Sequence, residues 1–259
     1  MNTPPPAIKS RQSLKSFRAF LWSVRMFISK KVSFRSLTKY RQSFQHPDLI
    51  EGVRGIDPAS DIAAHLSMLF FFTVDAIPRL IVVLGTRGGE STRALLSAAV
   101  VSNATVLSLD IEDCSGLDLA HRQRWHFVKA DDIEFGKTGF AKWCSAADLK
   151  PEIDVLFVDT SHLYEHTKQE IAVWSQLLSE RGVMIFHDTN LGRGTSARLG
   201  HLIGHGWDNQ RGVIRAIEEF LGKHYDESCF FTDVANGFLL VHYPNSNGLT
   251  VLKKLAGRS

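Results

Sequence analysis

Five positions in this 259-residue chain combine a reactive side chain with a regular placement: Asp110, Asp131, Asp159, His187 and Asp188 each follow a short apolar run. A carboxylate at the end of a buried strand can accept hydrogen bonds from paired hydroxyls, such as those of a ribose. His162 lies three residues beyond Asp159, and an imidazole titrates near neutrality, as a general base should. Upstream, Ile81-Val82-Val83-Leu84 runs into Gly85-Thr86-Arg87-Gly88-Gly89-Glu90-Ser91-Thr92. The glycines let a backbone turn approach a ligand closely, and Ser91 or Thr92 can cap the helix that follows. Such a turn suits a nucleotide-like cofactor, with Gly85, Thr86, Arg87, Gly89 and Ser91 as candidate contacts. A single aspartate after a strand is more often a turn former or a helix cap. Several of them in register with a glycine turn reverse that reading.

Positioning these groups requires alternating strands and helices. Apolar runs predict strands at Leu80–Leu84, Thr105–Leu109, His126–Lys129, Val155–Val158 and Val183–Phe186. Helical patterns fall between them, near 60–74, after Gly89, near 164–178 and at 213–221. The order implies a mostly parallel α/β sheet with ligands at its carboxyl end. Near the end, Cys229–Thr232 and Phe238–His242, linked by Asp233-Val234-Ala235-Asn236-Gly237, predict an antiparallel hairpin. Leu191–Gly206 holds five glycines and suits a mobile lid. Trp207, Asp208, Asn209 and Arg211 offer one ring face and several hydrogen-bonding groups to an acceptor.

The glycine spacing is G-x-x-G-G-x-S, not the G-x-G-x-x-G of dinucleotide sites. It resembles motif I of the class I S-adenosylmethionine-dependent methyltransferases, especially O-methyltransferases with a turn like ELGTRGGxSTR. Val83 stands where that family usually carries an acid. Asp159-Thr160-Ser161-His162-Leu163-Tyr164-Glu165 and Phe186-His187-Asp188-Thr189-Asn190 are similar to segments of metal-dependent O-methyltransferases and their cephalosporin-hydroxylase-like and macrolide-sugar relatives. The resemblance, over roughly residues 50–245, implies a Rossmann-like seven-stranded sheet closed by an antiparallel hairpin. It implies S-adenosyl-L-methionine as donor, with Asp110 at the ribose and Asp131 at the adenine amino group. It implies a divalent ion, Mg²⁺ or Mn²⁺, on Asp159, His187 and Asp188, with Asn190 as a spare oxygen ligand and His162 as the base. The imidazole of His187 tilts the choice towards Mn²⁺. The expected reaction is methylation of a hydroxyl on a sugar, glycoconjugate or natural product. Two alternatives stay open: a hydroxylase-like or otherwise divergent enzyme on the same scaffold, and a non-catalytic binding protein with a degenerate donor site.

Charge divides the chain. Residues 1–47 hold ten Lys or Arg and no acid, which leaves 20 basic and 27 acidic residues beyond them. The expected organisation is a basic extension over 1–47 and a catalytic domain over 48–259. In residues 12–31, Leu14, Phe17, Phe20, Leu21, Val24, Phe27 and Ile28 share one helical arc opposite Lys15, Arg18, Arg25 and Lys30. Three readings compete for this helix: docking on the domain or on a second subunit, contact with an anionic membrane surface, and a transit peptide. Nucleic acid is not an expected partner, because the positive charge is confined to one end. Three cysteines without a CxxC, and the lack of a continuous apolar span, point to a cytoplasmic protein, peripheral to a membrane at most.

Overall fold

The computed structural model describes residues 46–58, 60–191, 194–195, 202–203 and 210–255. The amphipathic stretch 12–31 and Trp207, Asp208 and Asn209 lie outside the described residues, as does most of the glycine-rich segment before them. Cys114, Cys144 and Cys229 are free thiols. Among the described residues no helix is long and apolar enough to cross a membrane.

The chain enters through helix α1 (Pro47–Gly52), a short 3₁₀ turn (Asp61–Ala64) and helix α2 (Leu66–Ala76). Five parallel strands follow: β1 (Leu80–Leu84), β2 (Thr105–Asp110), β3 (Trp125–Lys129), β4 (Ile153–Val158) and β5 (Leu178–His187). Helix α3 (Glu90–Ser102) connects β1 to β2, α4 (Phe140–Ala146) precedes β4, and α5 (Tyr164–Trp174) leads towards β5. Helix α6 (Gly212–Leu221) precedes three antiparallel strands, β6 (Phe231–Ala235), β7 (Phe238–Tyr243) and β8 (Leu249–Lys254). The sheet order is β3-β2-β1-β4-β5-β8-β7-β6. A two-stranded ribbon pairs Gly194–Thr195 with Leu202–Ile203.

The expected architecture is present, with eight strands in the sheet instead of seven. β8 was not anticipated, because its Leu249-Thr250-Val251-Leu252 run follows a loop and carries no partner signal of its own. It inserts antiparallel between β5 and β7. The hairpin is also tighter than expected. Ala235 pairs directly with Phe238, so Asn236-Gly237 alone makes the turn, with both residues at positive φ. Asn-Gly favours this type I′ geometry, which matches the strand twist.

Every residue of β1 is buried, as a strand covered on both faces requires. Its side chains alternate between two cores. Ile81 and Val83 pack with Leu69, Phe70, Leu95 and Phe157, under α2 and α3. Leu80, Val82 and Leu84 pack with Phe140, Trp174 and Ile217, under α4, α5 and α6. β1 pairs with β2 on one side and β4 on the other, so the strand order reverses between β1 and β4. That reversal opens the crevice where α/β sheets bind ligands.

Candidate active site

The glycine turn is fastened to its neighbours by backbone contacts. Gly85 has φ +83°, and a Cβ on it would lie 2.1 Å from the carbonyl oxygen of Asp159. Only glycine lets the end of β1 come this close to the end of β4. Gly85 N–H donates to Leu109 O at 3.0 Å, and Asp159 N–H donates to Leu84 O at 2.9 Å. Gly89, at φ +74°, is the N-cap of α3, and no side chain caps that helix. Ser91 and Thr92 therefore do not cap it; both sit buried in its first turn.

Asp110 reaches back into the turn. Its Oδ2 accepts the N–H groups of Thr86 at 2.8 Å and Arg87 at 3.0 Å, while Oδ1 accepts from Glu112 N–H at 2.9 Å. Burial alone would push this carboxyl up, but the N–H donors of Arg87, Glu112 and Thr86 hold it below the usual carboxylate range. Asp110 thus organises the turn, and its Oδ1 keeps capacity for an incoming hydroxyl. Asp131 is exposed and caps the short helix Asp132–Glu134, accepting Glu134 N–H at 2.8 Å. Arg87 is exposed on the turn at φ +42°.

The remaining predicted residues meet at the ends of β4 and β5. His162 lies between two carboxylates, with Nε2 at 3.1 Å from Asp159 Oδ1 and Nδ1 at 3.1 Å from Asp188 Oδ2. His187 Nδ1 lies 3.5 Å from each of the same two oxygens. Donor atoms about 2.1 Å from one ion sit roughly 3.0–3.4 Å from each other. The 3.1 Å contacts are also hydrogen-bond distances, and Asp159, His162 and Asp188 each place one ligand atom within 4.8 Å of the others. Asp188 Oδ1 and His187 Nε2 are buried with no hydrogen-bond partner among the described residues. Two carboxylates and an imidazole nitrogen, converging with oxygen valence to spare, fit a divalent ion.

Backbone and charge both set this cluster apart. His162 and Asp188 are held at φ +58° and +55°, the left-handed region that non-glycine residues rarely occupy. Such conformations persist where surrounding structure imposes them, and they concentrate at functional sites. Burial would lower the His187 imidazole, yet Asp159 and Asp188 raise it to about 10. Burial would raise Asp159, but the His162 and His187 rings hold it far below the carboxylate range. The two acids thus create a strong demand for positive charge at this point.

Other expectations resolve differently. Arg211 is not available to an acceptor: it bonds Glu218 Oε2 at 2.7 Å, Glu227 Oε1 at 3.0 Å and Tyr225 O at 3.0 Å, anchoring the start of α6. Asn190 donates its side-chain amide to Pro244 O at 2.8 Å and so ties the end of β5 to the β7–β8 loop. Val83, in place of an acid, is wholly buried. One residue with no sequence signal joins the site from outside. His65, at the start of α2, places its ring edge-on to His187 at 5.3 Å between centroids. Burial, then the neighbouring His187, lowers it to about 3, so it is a neutral imidazole behind the His187 ring. Nothing in its spacing marks it, since it falls within an apolar helical segment.

Residues 82–189, from β1 to Thr189 just past β5, match the family described as a methyltransferase domain. That match spans the parallel half of the sheet and less than half of the chain. Solved structures share its fold at low identity. A putative O-methyltransferase from Klebsiella pneumoniae is 14% identical, with a TM-score of 0.52, over 85% of this chain and 96% of that one. The methyltransferase PaMTH1 of Podospora anserina, solved with SAH, is 12% identical with a TM-score of 0.52, over 98% and 99%. MycE, a methyltransferase of the mycinamycin biosynthetic pathway solved with Mg, SAH and mycinamycin VI, is 18% identical with a TM-score of 0.51. That match covers 82% of this chain and 56% of MycE. No curated protein sequence matches the chain.

Proposed function

We propose that this protein is a methyltransferase that moves a methyl group from S-adenosyl-L-methionine to a hydroxyl of a sugar, glycoconjugate or natural product, with a divalent ion at Asp159, His187 and Asp188. The observation that carries this reading is the convergence of those three residues and His162 beside the Gly85 turn, at the sheet's reversal point. When bound, the donor would supply an electrophilic methyl group and the ion would lower the pKa of the acceptor hydroxyl. Everything else falls to the chain. The turn from Gly85 to Gly89, braced by Asp110, would present the start of α3 to the donor. Asp188 contacts His162 at Nδ1 and Asp159 contacts it at Nε2, and this imidazole would take the hydroxyl proton at Nε2. His65 packs its ring edge-on against the His187 ring. The magnesium in the MycE complex supports a metal on this scaffold.

Calorimetry with S-adenosylhomocysteine, with and without Mn²⁺, tests the assignment. The expected result is donor binding in both conditions and methyl transfer only with the ion. Full activity in excess chelator overturns the metal. No donor binding at all favours a scaffold protein, a reading supported by buried Val83 where the acid would stand.

A further inference from the structure

A second cluster of ligating side chains lies outside that centre. Asp132 follows β3, and His166 and Glu170 stand one turn apart on the same face of α5. His166 Nε2 is 3.2 Å from Asp132 Oδ1 and 3.6 Å from Glu170 Oε1. One ligand atom from each residue falls within 4.8 Å of the other two. The Glu170 side chain is fully buried, Asp132 is 9% exposed and His166 is 29% exposed.

We propose that Asp132, His166 and Glu170 bind a borderline divalent cation of the Zn²⁺ class, as a second site that no part of the methyl-transfer reading requires. The orphaned oxygens carry the argument. Glu170 Oε2 and Asp132 Oδ2 are both buried, and neither has a hydrogen-bond partner among the described residues. Two buried carboxylates facing one another need a proton or a cation between them. Thr160 Oγ1 donates to Glu170 Oε1 at 2.7 Å and fixes the carboxylate plane. That is the supporting contact expected behind a ligand. Two carboxylates and one imidazole, with an opening on the His166 side for water, match a four-coordinate zinc site. Mg²⁺ prefers an all-oxygen shell and suits the trio less well. Bound there, the ion joins the end of β3, where Asp131 lies, to α5, whose first residues follow His162. It would therefore stiffen the wall between the donor and acceptor sides. A proton shared by Asp132 and Glu170 would satisfy the same oxygens and is the rival occupant.

The test uses tag-free full-length protein carrying D159N/D188N, which disables the other centre and leaves the trio intact. After chelation and dialysis it is titrated with Zn²⁺, and with Co²⁺ as a spectroscopic probe. We expect one equivalent of Zn²⁺ per chain and a visible Co²⁺ absorption band of a low-coordinate site. Adding H166Q or E170Q should weaken binding by ~10-fold or more. Unmodified protein should bind one equivalent more than D159N/D188N does. The proposal is overturned if D159N/D188N binds no Zn²⁺ at micromolar concentrations, or if H166Q and E170Q leave its affinity unchanged. Either result assigns the trio to a shared proton, and the first needs no substitution within the trio.

Discussion

Replacing Gly85 with alanine should damage stability and the active site together. The new Cβ would stand 2.1 Å from Asp159 O and 2.8 Å from Asp159 C, where ordinary contact begins at 3.4 Å. The backbones at the ends of β1 and β4 must then part by more than an ångström, against the hydrogen bond from Asp159 N–H to Leu84 O. Holding alanine at φ +83° costs ~1–2 kcal/mol, and forced overpacking adds ~1–3 kcal/mol. The expected loss is therefore ~2–5 kcal/mol in urea unfolding. Because the displaced atoms belong to Asp159, turnover should fall ~10²-fold even in the folded fraction. Gly88→Ala is the control, since nothing lies within 4 Å of its Cβ position and it does not need positive φ. It should unfold and turn over like the parent protein. A Gly85→Ala protein with the parent's urea midpoint and activity would refute the close-approach argument.

Other expectations follow from the same geometry. Asp110→Ala leaves three backbone donors without their acceptor, and S-adenosylhomocysteine affinity measured by calorimetry should fall by ~1.5–3 kcal/mol. Asp110 is depressed in the folded state, so its stabilising contribution is complete above the ordinary carboxylate pKa and is lost as pH falls through its folded value. Acid unfolding curves of parent and Asp110→Ala should therefore converge at low pH, and parallel curves would contradict this. His162→Ala should lower turnover by ~10²–10⁴-fold with little change in acceptor KM, and the deficit should shrink as pH rises. A parental pH–rate profile in that variant would assign His162 to structure alone. Deleting residues 1–45 should abolish salt-sensitive co-sedimentation with anionic vesicles if the basic segment binds membranes, since each Lys or Arg near such a surface contributes ~1 kcal/mol. A full-length protein that ignores those vesicles, paired with a truncation that changes oligomeric state, would make the segment an assembly element.

Much of this architecture was legible because the signals were local. β1 to β5 announce themselves as β-branched or apolar runs, and an acid at or just past the ends of β2 to β5 marks the sheet's carboxyl end. The glycine turn could be read from residue type, since φ +83° at Gly85 admits little else. What could not be read depends on partners distant in sequence. The β8 run is as apolar as β1, yet only pairing with His187 and Tyr243 at its start makes Leu249 a central-strand residue. Arg211 reads as a surface donor until Glu218 and Glu227 take its guanidinium. His65 joins the site because α2 crosses behind β5, which no spacing within α2 encodes. The His166–Glu170 pair has an informative i, i+4 spacing, but Asp132 reaches it only through the packing of the β3 end on α5.

The placement of β8 also sets an order of events during synthesis. His187 pairs with Leu249, so the arm of the sheet that presents His187 and Asp188 is edge backbone until that late strand arrives. On the ribosome, β1 to β4 can assemble with their helices while β5 still exposes one row of unpaired N–H and C=O groups. During that interval the nascent chain offers a template for strand addition by another chain. Premature termination within residues 249–254 would leave the glycine turn formed and the arm that carries His187 and Asp188 open, with an adhesive flank.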